Sequence, residues 1–225
     1  MTQSEFSSAI DRDDSMRAPR AHAGDEATET EAPNKNEGAA PLSQRIESYF
    51  LTERRQIFLW GQVDDASAKH IVERLLYMSA IDSQSDISLM INSPGGMNTA
   101  GFAILDAMRM IQPDVRTYCL GLAASFGALL LMCGAKGKRF ALPHARVMIH
   151  QPWLPGEYRA TATELRIQAE EIQKQRDEID QIIAEATGRP FEEVAGDTDR
   201  DHWLNAEAAV EYGVIDAVAQ TVGKA

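Results

Sequence analysis

A chain of 225 residues with 44% hydrophobic and 25% charged content can bury one substantial core, which excludes both a disulfide-stapled miniprotein and a wholly disordered chain. Its formal net charge of -12, from 22 Lys and Arg against 34 Asp and Glu, argues against a general nucleic-acid binder, because that affinity rests on clustered cations. The two cysteines, Cys119 and Cys133, stand in neither a CxxC nor a Cys/His spacing, so no secreted disulfide framework and no structural zinc site is expected.

The first residues carry acids where a secretory signal needs a basic region, and no apolar stretch follows. Residues 1–40 are rich in Asp, Glu, Ala, Thr, Pro and Asn, a composition that cannot offset chain entropy by burial, and a disordered acidic extension is expected there. A folded domain is expected over residues 41–225. Leu42, Ile46, Tyr49 and Phe50 recur at helical spacing, and Gln56 to Trp60 reads as a strand ended by Gly61. After Asp64 and Asp65, a helix start, Ile71, Val72, Leu75, Leu76 and Met78 mark a helix, and residues 87–91 a buried strand. The turn Asn92-Ser93-Pro94-Gly95-Gly96 leads into a helix carrying Ala100, Ile104, Ala107 and Ile111, followed by a strand over residues 115–120.

Residues 120–133 are apolar but interrupted by Gly121, Ser125 and Gly127, and fall short of the roughly 20 residues that span a bilayer. They read as core, with a helix over 125–133 closed by Gly134. Residues 139–150 are mostly extended, interrupted by Pro143. Strands alternating with helices predict βαβ crossovers and a largely parallel sheet.

A long charged helix is expected over 161–188, started by the capping box of Thr161 and Glu164 and stopped by Gly188-Arg189-Pro190. Leu165, Ala169, Ile172, Ile179, Ile183 and Ala186 form a narrow stripe on it, suited to another helix or subunit; packing on its own domain is the equal alternative. A helix over 205–212 and a strand over 214–218 complete the chain.

Three segments bear chemistry. Ser125 sits where a strand passes through small residues into a helix, a context that resembles the G-x-S-x-G elbow with Ala123 in the first glycine position, although most such serines only cap helices. Gly95 and Gly96 let backbone N–H groups approach a ligand closely, as an oxyanion hole requires; an ordinary turn uses the same residues. His150 closes a strand, a rigid mount for a general base. Asp197, Asp199 and Asp201 lie in an acidic loop between helices, and spacing does not choose among them as the orienter of a histidine. His70, His144 and His202 compose no metal-binding set, and no cofactor or metal is expected.

Together INSPGG at 91–96, AAS-x-GA at 123–128, GAKGKRF at 134–140, RVMIHQP at 146–152 and DT-x-RD at 197–201 resemble the proteolytic subunit of the ATP-dependent Clp protease, from about Arg55 to Ala217. The resemblance implies a cytoplasmic serine endopeptidase with Ser125 as nucleophile, His150 as general base and Asp201 as its orienter. It implies an oxyanion hole at the backbone N–H groups of Gly96 and Phe126. It also implies an α/β crotonase-like fold, with the helix after Thr161 as the handle joining two stacked heptamers. Such rings, homo- or hetero-oligomeric, enclose unfolded polypeptide delivered by a Clp-type AAA+ ATPase; no nucleic acid and no membrane are partners.

The chain departs from that family in two places. Residues 41–50 replace the usual axial-loop segment, and Ser88 and Met90 stand where tyrosines usually line the ATPase-docking groove, so weak docking, or docking through a paralogous ring, is expected. An acyl-CoA enzyme of the crotonase type would share the fold without needing Ser125, His150 and Asp201 together. A non-enzymatic ring subunit would be expected to lack a triad member.

Overall fold

The computed structural model describes residues 40–153 and 159–220. The acidic extension lies outside the described residues apart from Ala40, as do residues 154–158 in the segment after His150. Helix α1 (Leu42–Ser48) continues into a π-helical turn, Tyr49–Glu53, before strand β1 (Gln56–Trp60). Helix α2 (Asp65–Ile81) opens with a reciprocal cap: Asp64 accepts from the Ser67 N–H at 2.8 Å, and Ser67 Oγ accepts from the Asp64 N–H at 2.9 Å. Then follow β2 (Ile87–Ser93), α3 (Asn98–Met110), β3 (Val115–Ala124), α4 (Phe126–Met132), β4 (Arg139–Ala141) and β5 (Arg146–Ile149). The chain closes with α5 (Ala162–Thr187), α6 (Phe191–Asp197), β6 (His202–Asn205), α7 (Ala206–Tyr212) and β7 (Ala217–Val218).

The strands form one sheet in the order β1-β2-β3-β4-β7, all parallel, with β5 also parallel to β3 and β6 antiparallel to β5. Strand β3 is longer than its sequence suggests because two neighbours share it: residues Thr117 to Cys119 pair with β4, and Leu122 to Ala124 pair with β5. Between Ile91 and Ser93 the β2–β3 register shifts. The Asn92 side chain fills that irregularity, accepting from the Leu122 N–H at 3.1 Å, and Gly121 leaves it room, since a Cβ there would stand 2.9 Å from Asn92 Oδ1.

Alternate residues of β1 and β2 (Ile57, Leu59, Leu89, Ile91) join Ile71, Leu75 and Met78 of α2 and Ile104 and Leu105 of α3 in a single core. Each fully buried aliphatic chain contributes roughly 1.5–3 kcal/mol. Helix α4 is buried along its whole length, as an all-apolar helix must be. No described helix is long and apolar enough to cross a membrane.

The stripe of helix α5 is buried in one part and exposed in another. Its last third, with Ile179, Ile182 and Ile183, enters the domain core, whereas Leu165 and Ile167 nearer the start are 45% and 54% exposed. Two further expectations are corrected. The acidic loop lies not between two helices but between helix α6, which ends at Asp197, and a strand, β6, whose edge pairing with β5 is a tertiary matter. The last strand shrinks to Ala217–Val218, because Val214 and Ile215 are used as core side chains rather than as ladder residues.

Candidate active site

Ser125 occupies the junction of β3 and α4. Its N–H donates to the Met148 carbonyl at 2.8 Å, continuing the β3–β5 ladder, while its carbonyl accepts from the Ala128 N–H at 2.9 Å and begins the helix. These two demands force φ 54° and ψ −125°, a conformation costing a residue with a Cβ about 1–3 kcal/mol. The hydroxyl does not cap α4, so the commonest role of a serine at this position is not the one it plays. Gly95 makes the close approach possible: with φ 87°, its missing Cβ would lie 2.7 Å from Ser125 Cβ and from the Ala124 carbonyl oxygen.

Beside the serine, Gly96 is pressed against Val63, where an added Cβ would come within 2.2 Å of the carbonyl oxygen. The Val63 N–H donates to Gly95 and the Met97 N–H donates to Val63, both at 2.8 Å, a parallel bridge that leaves the Gly96 N–H uncommitted. The Phe126 N–H, at the first position of α4, lacks an intrahelical acceptor. Among the described residues, neither group donates a hydrogen bond.

His150 follows β5, and Asp201 precedes β6. Because Ile149 is registered opposite His202 in that antiparallel pair, the next residues outward face one another, and His150 Nδ1 lies 3.0 Å from Asp201 Oδ1. A carboxylate only accepts, so in the neutral ring Nδ1 carries the proton and Nε2 keeps its lone pair. The other two aspartates have different work. Asp199 accepts from the Gln151 side-chain amide, and Asp197 accepts from the Tyr212 hydroxyl at 2.8 Å. Tertiary pairing thus separates three acids that spacing left equivalent.

Ser125 and His150 border one recess of about 20 Å³, walled by Phe126, Leu129, Ile149, Ile179 and Ile183, and one open cleft of about 940 Å³ reaching past Gly96 and Trp153 to Ile172 of α5. The Phe126 ring is fixed by Gly101, over which it lies, and by edge-to-face contact with Phe102 at 5.0 Å. Cys119 and Cys133 lie elsewhere, and burial pushes each thiol up to about 11, so neither supplies a thiolate near neutral pH. The sequence reading missed Asp180, Thr198 and Gln151, which tie α5 to the loop bearing Asp201. An acid between Ile179 and Ile182 on the buried stripe was the available signal.

The Clp protease family profile matches residues 41–222. The chain is similar to the ATP-dependent Clp protease proteolytic subunit 1 of Bacillus cereus, with 51% identity over 170 residues, 76% of this chain and 87% of that protein. The parallel α/β sheet accords with both matches, and the chain belongs to the Clp protease family, as a serine-type peptidase.

Proposed function

We propose that the chain is the proteolytic subunit of a self-compartmentalising cytoplasmic endopeptidase, with Ser125, His150 and Asp201 as its catalytic triad. The observation that carries the reading is the Ser125 hydroxyl, which makes no hydrogen bond among the described residues, at a strained strand–helix junction and sharing a recess with an imidazole whose far nitrogen faces Asp201. His150 Nε2 takes the Ser125 proton as Oγ attacks a peptide carbonyl, and Asp201 stabilises the imidazolium. The Gly96 and Phe126 N–H groups receive the developing oxyanion. The imidazolium then protonates the leaving amine, and water attacks the acyl-enzyme by the same route in reverse. An acyl-CoA enzyme would use the paired N–H groups alone, and the contact between His150 and Asp201 favours hydrolysis over it.

In the same reading the fold is crotonase-like, α5 is the handle between two stacked heptamers, and polypeptide arrives through a Clp-type AAA+ ATPase. The exposed first half of α5 supports the handle role. Docking of the ATPase is weakened at β2, where Met90 is buried and Ser88 offers little apolar area, although Phe58 and Trp60 on β1 remain exposed. The test is labelling by a fluorophosphonate together with turnover of a fluorogenic peptide by particles of measured mass. Wild type labels at Ser125 in particles of about 14 subunits, and Ser125→Ala lowers turnover on the order of 10³-fold or more. Retained turnover in pure Ser125→Ala protein refutes the triad.

A further inference from the structure

Asp180, on α5, is 1% exposed, and its two oxygens are treated unequally. Oδ1 accepts from the Thr198 hydroxyl at 2.8 Å, whereas Oδ2 has no hydrogen-bond partner among the described residues; Arg176 Nε stands 3.6 Å away. Burial holds the carboxyl above its ordinary range, opposed by the Thr198 hydrogen bond and the Arg176 charge. A buried acid with an unsatisfied oxygen destabilises a fold relative to an apolar residue of similar size. Its local cost directs attention to what its one hydrogen bond holds in place.

Thr198 is fully buried, and its carbonyl accepts from the Gln151 N–H at 2.6 Å. Gln151 follows His150 directly, and Thr198 precedes Asp201 by three residues. The Gln151 side-chain amide also donates to the Asp199 carbonyl at 2.8 Å. Asp201 itself is 60% exposed and has His150 as its hydrogen-bond partner among the described residues, so its placement depends on the backbone that carries it. Thr198 thus bridges the two sides of the histidine–carboxylate pair, and the Asp180 carboxylate on α5 holds its side chain.

We propose that Asp180 is a positioning residue for the peptidase reaction, fixing through Thr198 the loop that aims Asp201 at His150. The proposal rests on the triad reading above. It makes α5 a wall of the recess and also a support for the catalytic geometry, and it predicts that loosening the loop lowers kcat rather than substrate binding, since neither residue lines the cleft.

The experiment compares full-chain wild type with Thr198→Val, Thr198→Ser, Asp180→Leu and the double variant Thr198→Val/Asp180→Leu, by kcat and KM on a fluorogenic peptide, with particle mass and melting temperature in parallel. Thr198→Val and Asp180→Leu each lower kcat about 10-fold or more with KM within about 2-fold of wild type; Thr198→Ser restores kcat; and the double variant loses no more than the worse single one. Wild-type kcat in both Thr198→Val and Asp180→Leu overturns the proposal while leaving the triad intact, and so do additive losses, which mark independent packing defects. If either single variant fails to assemble, the other and Thr198→Ser carry the same comparison. A wild type that neither labels at Ser125 nor turns over removes the triad reading, and with it this inference.

Discussion

Ser125 holds its hydroxyl at the cost of a backbone that favours glycine. Both Ser125→Ala and Ser125→Gly remove the hydroxyl, but only glycine relaxes φ 54°. We expect Ser125→Gly to match or exceed Ser125→Ala in stability by about 1 kcal/mol by denaturant unfolding, against glycine's usual disadvantage. A clear advantage for alanine means that the junction is unstrained. The three aspartates near His150 offer a second discrimination. Asp201→Asn presents an amide to Nδ1, permits the wrong tautomer, and should lower kcat on the order of 10³-fold or more. Asp197→Asn keeps an acceptor for Tyr212, and Asp199→Asn keeps one for Gln151, so each should cost less than about 10-fold. Steady-state kinetics of the three variants decide it; a dominant loss at Asp199 assigns the orienter wrongly.

Helix α5 carries one amphipathic stripe that is buried towards its end and exposed towards its start. Its capping box and its left-handed Gly188, at φ 78°, delimit 26 residues, of which only the last third enters the core. Glutamate at Leu165, half exposed, leaves protomer stability within about 0.5 kcal/mol, and if α5 joins rings it shifts particles from about 14 subunits towards seven in sedimentation. Glutamate at Ile179, 8% exposed, instead unfolds the protomer, since burying an unpaired charge exceeds about 3 kcal/mol. Equal effects at the two positions contradict this division. The periodicity was legible in the sequence; which half faces inward was not, because a charged helix with a thin apolar seam fits a domain surface as well as a partner helix.

At the scale of the whole molecule, the Arg139–Asp216 pair ties β4 to the segment before β7. Arg139 is 5% exposed; it donates to Asp216 at 2.6 and 3.0 Å and to the Met132 and Ala186 carbonyls of α4 and α5. Burial alone would raise the Asp216 carboxyl, but the hydrogen bonds from Arg139 outweigh it and hold the group below its ordinary 3.8. A depressed carboxylate stabilises the fold above its unfolded value and ceases to do so as pH falls through the folded one. Asp216→Ala is therefore expected to lose about 2–4 kcal/mol at pH 6–8, with the gap to wild type closing below roughly pH 4. A gap independent of pH in guanidinium unfolding rules out an ionic origin.

Sequence alone determined the alternation of strands and helices, the core faces of α2 and α3, the two ends of α5, and the family, because these rest on local periodicity, capping chemistry and contiguous motifs. Ser125, His150 and Asp201 were legible as candidates through motif resemblance, but their spacing of 25 and 51 residues carries no geometry. Tertiary structure decided that β6 pairs antiparallel with β5, and so which aspartate faces the histidine. It also decided that Ser125 is not a helix cap, because the ladder to β5 fixes its backbone, and that Asp180 lies beneath the site, because α5 packs its last turns inward. Long-range pairing and burial are set by contacts between distant residues, and no window of the chain encodes them separately.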